Sequence, residues 1–137
     1  MSEHTYGFGI QTDMSPAEAE QKIREALAEE GFGILTEIDV AVTLKNKLDL
    51  DVAPYRILGA CNPQLAHQAL SVEQDIGLLL PCNVVIYESG SGSIIQVLDP
   101  DLMADLTGNP EVQVIADDAR GRLKRALANV QGVGATQ

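Results

Sequence analysis

A chain of 137 residues in which 45% are hydrophobic and 21% are charged has the size and composition of one packed domain, which argues against a disordered protein. Nine Lys and Arg residues against twenty Asp and Glu residues give a net charge of −11, which repels nucleic acids and anionic membranes and argues against both as partners. The chain has no run near the roughly 20 apolar residues of a membrane span, no signal-peptide pattern at its start and only two cysteines, so we expect a cytoplasmic protein.

The first third of the chain predicts a strand, a helix and a second strand. Aromatic and aliphatic residues alternate over residues 6–11, which is typical of a strand. Ser15 is a suitable N-cap and Pro16 suits the first helical position, so a helix is expected to begin at Pro16 and to be stopped by Gly31. Apolar residues alternate again over residues 32–38, and we expect this second strand to pair with the first.

The middle of the chain predicts two further helices around a third strand. Asp39 is placed to cap a short amphipathic helix over residues 40–48. A strand is expected over residues 55–60, and Asn62 followed by a proline predicts another capped helix that reaches about Leu70.

The last part of the chain predicts a hairpin and a long final helix. Residues 76–88 are almost wholly apolar, which predicts a brief strand or loop and then a buried strand from Val84. A Ser-Gly-Ser-Gly turn leads to a returning strand over residues 94–98. Two helical stretches follow, and the second has an apolar stripe over residues 112–130, after which the polar tail from Gln131 is expected to fray.

The order of these elements indicates the fold class. It contains a hairpin and lacks the regular alternation of strands and helices that a parallel sheet requires. We therefore expect an α+β fold in one domain over residues 1–137, with an ordered core over about residues 5–130. The sheet is predicted to be mostly antiparallel, with helices packed on one face.

Two blocks of sequence carry a resemblance to a known family. The first is PYRILGACNP at residues 54–63, followed by Leu65-Ala66-His67, and the second is LLPCNVVIYE at residues 79–88. Together they resemble the domain-of-unknown-function 302 family, and the resemblance extends over most of the chain. It implies an α+β fold like that of the TATA-binding protein, β-α-β(4)-α in outline with extra short helices here, and a homodimer. It implies no activity, and the net charge of −11 argues against carrying over DNA binding.

The two cysteines are the leading candidates for chemistry. Cys61 ends the third strand just before a helix, where backbone N–H groups and the helix dipole stabilise a thiolate. Such a thiolate would serve as a nucleophile or as a ligand for a soft metal ion. Cys82 also precedes an asparagine, and the two Cys-Asn corners would adjoin if the two blocks meet in the fold. The alternative is that both thiols are small apolar fillers, which is the usual role of a free cysteine.

Any metal site in this region would depend on Cys61 and Cys82, with His67 as a third ligand. Zinc needs four protein ligands or three and a water, and these residues supply at most three without the short Cys-x-x-Cys spacing. Copper(I) suits thiolates better. Two roles are open to His67: it either reaches back toward Cys61 or lies in solvent as a surface histidine. The sequence does not identify a cofactor.

Four further residues of the two blocks are candidates for ligand binding. On adjoining strands, Tyr55, Arg56, Tyr87 and Glu88 would line a pocket beside the cysteines. Arg56 would then bind an anionic ligand. In the alternative interpretation, Arg56 and Glu88 form a cross-strand ion pair on an exposed face.

Three functions are compatible with these residues. The first is a homodimeric module that binds a small ligand or a soft metal ion at the Cys61 and Cys82 region. The second is a thiol-dependent enzyme with Cys61 as its nucleophile, although no recognisable catalytic motif is present and enzymatic activity is left open. The third is a structural or interaction protein in which both cysteines only pack.

Overall fold

Six β-strands, five α-helices and one 3₁₀ helix make up residues 1–135, the part of the chain that the computed structural model describes. The elements, in chain order, are β1 (Ser2–His4), β2 (Gly7–Thr12), α1 (Pro16–Glu29), β3 (Gly33–Asp39), α2 (Val40–Leu48), β4 (Tyr55–Cys61), α3 (Pro63–Val72), the 3₁₀ helix (Gln74–Leu79), β5 (Cys82–Ser89), β6 (Gly92–Leu98), α4 (Asp101–Thr107) and α5 (Pro110–Ala135). The last helix thus continues past Gln131, where the tail was expected to fray. Thr136 and Gln137, the end of that tail, lie outside the described residues.

The strands form one antiparallel sheet in the order β1-β2-β6-β5-β4-β3. This architecture confirms the predicted α+β class with its mostly antiparallel sheet. β5 and β6 form the predicted hairpin, in which Ser89 lies opposite Gly92. β1, which the sequence pattern did not predict, pairs with β2 and makes one edge of the sheet.

The expected pairing of the first two predicted strands is wrong. β3 pairs with β4, where Ile38 lies opposite Ile57, and it forms the edge of the sheet farthest from β1. β2 pairs instead with β6, where Phe8 lies opposite Val97. α1 contacts β5, β6 and β3, so the helix carries the chain across the sheet before β3 begins. Alternation predicts that a segment is a strand, but long-range packing decides which strand lies beside it.

The first helix begins where its local signals predict. The Ser15 hydroxyl accepts a hydrogen bond from the Glu18 N–H at 3.3 Å, and Pro16 occupies the first helical position. One face of α1 is buried against the sheet and α5 through four side chains, Ala19, Ile23, Ala26 and Leu27.

The main core lies between α1, α5 and one face of the sheet. Alternate residues of the four central strands point into it, including Phe8, Leu58, Ile86 and Ile95, which are fully buried. The residues between them point to the opposite face, as the alternation of a strand requires.

A second, smaller core lies where α3, α4 and α5 meet the 3₁₀ helix. It contains seven buried residues, which are Ala69, Ile76, Cys82, Met103, Ala104, Val112 and Ala116. The 3₁₀ helix takes the place of the brief strand or loop that the apolar run predicted. Within residues 1–135, no helix has both the length and the apolar character needed to cross a membrane.

Candidate functional site

A small apolar pocket lies at the edge of the second core, where β4 and β5 run into α3. It has a volume of about 40 Å³. Cys61 and Cys82 both line it, together with apolar side chains of α3, α4 and α5 such as Leu65, Met103 and Ala116. The two family-like blocks therefore meet at this pocket, and their Cys-Asn corners adjoin there.

The strand register brings the two cysteines to the same end of the sheet. Cys82 is the first residue of β5 and lies opposite Ala60, and Cys61 follows Ala60 as the last residue of β4. Cys82 is only 6% exposed, whereas Cys61 is half-buried, and both thiols are free. Burial, with a smaller contribution from Cys61, raises the pKa of the Cys82 thiol from an ordinary 9.0 to about 11. Cys82 is therefore a neutral thiol at physiological pH.

The N-terminus of α3, next to Cys61, is already capped by a side chain. The Leu65 N–H donates to Asn62 Oδ1 at 3.2 Å, the Ala66 N–H donates to the Asn62 carbonyl at 2.9 Å, and Pro63 has no N–H to donate. The Asn62 side chain, rather than the Cys61 thiol, uses this end of the helix.

His67 lies on the exposed side of α3 and outside the lining of the pocket. Its carbonyl accepts a hydrogen bond from the Ser71 hydroxyl at 2.7 Å. This placement agrees with the solvated surface histidine rather than with a partner of Cys61. Among residues 1–135, no group of three or more His, Cys, Asp or Glu side chains is arranged to hold a metal ion.

Tyr55 and Tyr87 lie at the opposite end of the same two strands. They are paired residues of β4 and β5, and their rings stack with centroids 5.3 Å apart. Tyr55 lies six positions before Cys61 along β4, which corresponds to about 20 Å. The tyrosines line a different groove, of about 360 Å³ on the other face of the sheet, to which Tyr6 also contributes. The expected single pocket with tyrosines and cysteines together is therefore not formed.

Arg56 points to the helix-covered face and is bound by carboxylates. Its guanidinium donates to both carboxylate oxygens of Glu20, at 2.9 and 3.2 Å, and lies 3.8 Å from Glu37 and from Asp39. Arg56 lies opposite Ile86, and the predicted cross-strand pair with Glu88 is replaced by the pair with Glu20. Arg56 therefore does not line the cysteine pocket.

The arrangement at the cysteines is suited to binding rather than to charge-dependent chemistry. The pocket lining contains no Asp, Glu, Lys, Arg or His residue, and its surface is almost wholly apolar. Leu65, Ala69, Met103 and Ala116 were not among the site residues that the sequence predicted. Their helical spacing predicts that they are buried, but it does not predict that they surround a void.

Comparison with known proteins places the chain in a family. The family model for the domain of unknown function DUF302 matches residues 8–130, which is most of the chain. The chain belongs to the DUF302 family. The fold is similar to the crystal structure of an uncharacterised conserved DUF302 protein from Bacillus stearothermophilus, with a TM-score of 0.85 and 29% sequence identity. That match covers 92% of this chain and 98% of the other, and no curated protein matches.

Family membership confirms the resemblance and also says where the pocket lies within the family's fold. The matched residues of this DUF302 domain include all of β4, α3, β5 and most of α5, the elements that enclose the pocket. The family's description assigns no activity to it.

Proposed function

We propose that this DUF302 domain is a homodimeric binding module that takes a small, uncharged and mainly apolar ligand in the pocket between Cys61 and Cys82. The observation that carries the proposal is a void of about 40 Å³ with an almost wholly apolar lining. Protein interiors are close-packed, and a cavity needs only about 10–15 Å³ to hold a water molecule. An apolar void of this size is poorly suited to water and well suited to a hydrocarbon group.

The chemistry of the lining selects the class of ligand. Transfer of a charged group into a site without a charged or hydrogen-bonding partner is strongly unfavourable, so ions are disfavoured. The neutral Cys82 thiol, with its pKa of about 11, favours an apolar ligand over a soft metal ion, because a metal is bound by the thiolate. The volume admits a fragment of a few non-hydrogen atoms, such as the end of an alkyl chain.

The cellular location is part of the same proposal. Cys61 and Cys82 are both free thiols, and Cys61 is half-buried at the pocket. Free thiols are maintained in reducing compartments, which supports the cytoplasm as the place where the module works.

Xenon is a suitable probe of the pocket, because it binds to dry apolar cavities. In two-dimensional amide NMR spectra recorded under increasing xenon pressure, we expect saturable shifts confined to the elements that line the pocket. These are the end of β4, α3, the 3₁₀ helix, the start of β5, α4 and the first third of α5. Ala66→Leu, which places a larger side chain at the lining, is expected to abolish these shifts. Ala28→Leu makes the same change on the exposed face of α1 and should leave them intact.

Two results would contradict the proposed ligand site. One is a wild-type spectrum in which no saturable shift occurs at these elements. The other is a shift of equal size in wild type and in Ala66→Leu, because xenon would then bind elsewhere.

A further inference from the structure

The sheet edge formed by β3 carries a long stretch of chain without a core of its own. We name residues 33–54 the edge segment, which comprises β3, α2 and the loop to β4. None of its 22 residues is buried. Each of the other α-helices, by contrast, buries at least two side chains.

The edge segment nevertheless has an apolar surface. The described chain exposes twelve large hydrophobic side chains, and half of them lie in this segment: Leu35, Ile38, Val42, Leu48, Leu50 and Val52. Leu35 is 68% exposed and Leu48 is 62% exposed. Contiguous exposed apolar surface on a folded protein marks an interaction site more often than scattered single residues do.

The secondary structure of the edge segment also offers surfaces to a partner. A helix of nine residues is marginal in water by itself, and it normally depends on burial of an apolar face. β3 is seven residues long and ends the strand order, so its outer edge has no partner strand among residues 1–135. A long, bare edge strand is a template for pairing with another chain.

The edge segment carries only a small part of the negative charge of the chain. The segment carries two lysines and four acidic residues, a net charge of −2 within a chain of −11. Its four carboxylates all lie in ion pairs inside the chain. These are Glu37 with Arg24, Asp39 with Arg56, and Asp49 and Asp51 with Lys45. Lys45 is shared by two carboxylates, and Arg24 and Arg56 also pair with Glu20, so the ion pairs reduce the negative charge of the segment without removing it.

We infer that the edge segment is the interface between two copies of this chain, with β3 antiparallel to β3 of the second copy about a two-fold axis and α2 packed across it. The inference rests on the homodimer of the proposed function and names its contact surface. Two-fold symmetry lets one strand edge pair with itself, because the same residues meet from both copies. The 22 uncovered residues also match the roughly 20–30 residues per partner of a standard stable interface.

Sedimentation velocity of the full chain, over a range of concentrations, tests the inference. Wild type is expected to sediment at twice the chain mass of 14.6 kDa. Leu48→Glu places like charges opposite each other across the two-fold axis and should weaken the dimer by more than about 100-fold, which yields monomer. Leu78→Glu is the matched control, because Leu78 is 88% exposed and lies outside the edge segment, and it should remain dimeric.

Hydrogen exchange provides a second measurement that does not depend on a variant. The amides of β3 and α2 should lose protection when wild type is diluted below its dimer dissociation constant, while those of α1 keep theirs. This result would support the interface even if Leu48→Glu failed to fold.

Each alternative outcome overturns a different statement. A wild-type monomer would overturn both this inference and the homodimer, while the xenon experiment would still test the pocket. A dimer that survives Leu48→Glu but is split by Tyr87→Glu would keep the homodimer and move its interface to the uncovered sheet face, which overturns the edge interface.

Discussion

Burial of the Cys82 thiol has a measurable consequence for stability at alkaline pH. In the unfolded chain this thiol ionises with a pKa near 9.0, whereas burial raises the pKa to about 11 in the folded protein. Between these two values the unfolded state releases a proton that the folded state retains. The neutral Cys82 thiol therefore makes its full contribution to the stability of the folded protein below pH 9, and this contribution is lost as the pH rises toward 11.

The size of this loss follows from the difference between the two pKa values. A difference of about 2 corresponds to roughly 3 kcal/mol, as an upper bound. Cys82→Ala removes the titrating group and costs about 1 kcal/mol of packing at neutral pH. The variant should thus be less stable than wild type near pH 7 and more stable, by up to about 2 kcal/mol, near pH 11.

Urea unfolding under reducing conditions, at steps from pH 7 to pH 11, measures this crossover. Titration of lysines and tyrosines affects both proteins equally and cancels in the difference between their free energies of unfolding. Cys61→Ala, which removes the half-buried thiol, serves as the control and should keep the alkaline loss. A difference between wild type and Cys82→Ala that stays constant across this range would refute the reasoning.

Two further predictions concern the residues around the site. Burial by itself raises the pKa of Glu20, but hydrogen bonds and charges from Arg56 and Arg24 outweigh it and hold the pKa below its ordinary 4.5. Glu20→Gln should therefore lower the free energy of unfolding in urea by about 2 kcal/mol at pH 7, and by progressively less as the pH falls through the lowered pKa. Glu29→Gln, at an exposed position of the same helix, is the control and should show no such loss. Asn62→Ala removes the α3 cap and should lower the free energy of unfolding by about 1 kcal/mol, most of which Asn62→Asp should restore. Equal thermal stability of the three proteins would show that the cap does not hold α3.

Local signals predicted most of the elements because their physical causes are local. Ser15 and Asn62 each accept a backbone N–H three residues later, and a proline follows both of them. The hairpin turn at residues 89–92 likewise depends only on neighbouring residues. β1 was missed because three exposed residues without alternation carry no strand pattern of their own.

The candidate site was only half predictable for a similar reason. Cys61 was correctly placed between the end of a strand and the start of a helix, whereas Cys82 begins β5 and not the break that was expected before Val84. The two Cys-Asn corners do meet at one pocket. The same reasoning placed Tyr55 and Tyr87 beside them, although the strand length separates the tyrosines from the cysteines by about 20 Å. The two blocks indicated which segments of the chain belong to the candidate site. The strand register and the length of the strands decide which residues of those segments lie close together.

The sequence by itself determined the fold class, the helix starts and the position of Cys61 between a strand and a helix, since caps, turns and apolar spacing act within a few residues. Only the tertiary structure decided that β3 lies at the far edge of the sheet, that Arg56 is bound to Glu20, and that an apolar void remains between the cysteines. These features depend on contacts between residues far apart in the chain. The burial that raises the pKa of Cys82 likewise exists only once β5 has packed against α3 and α5.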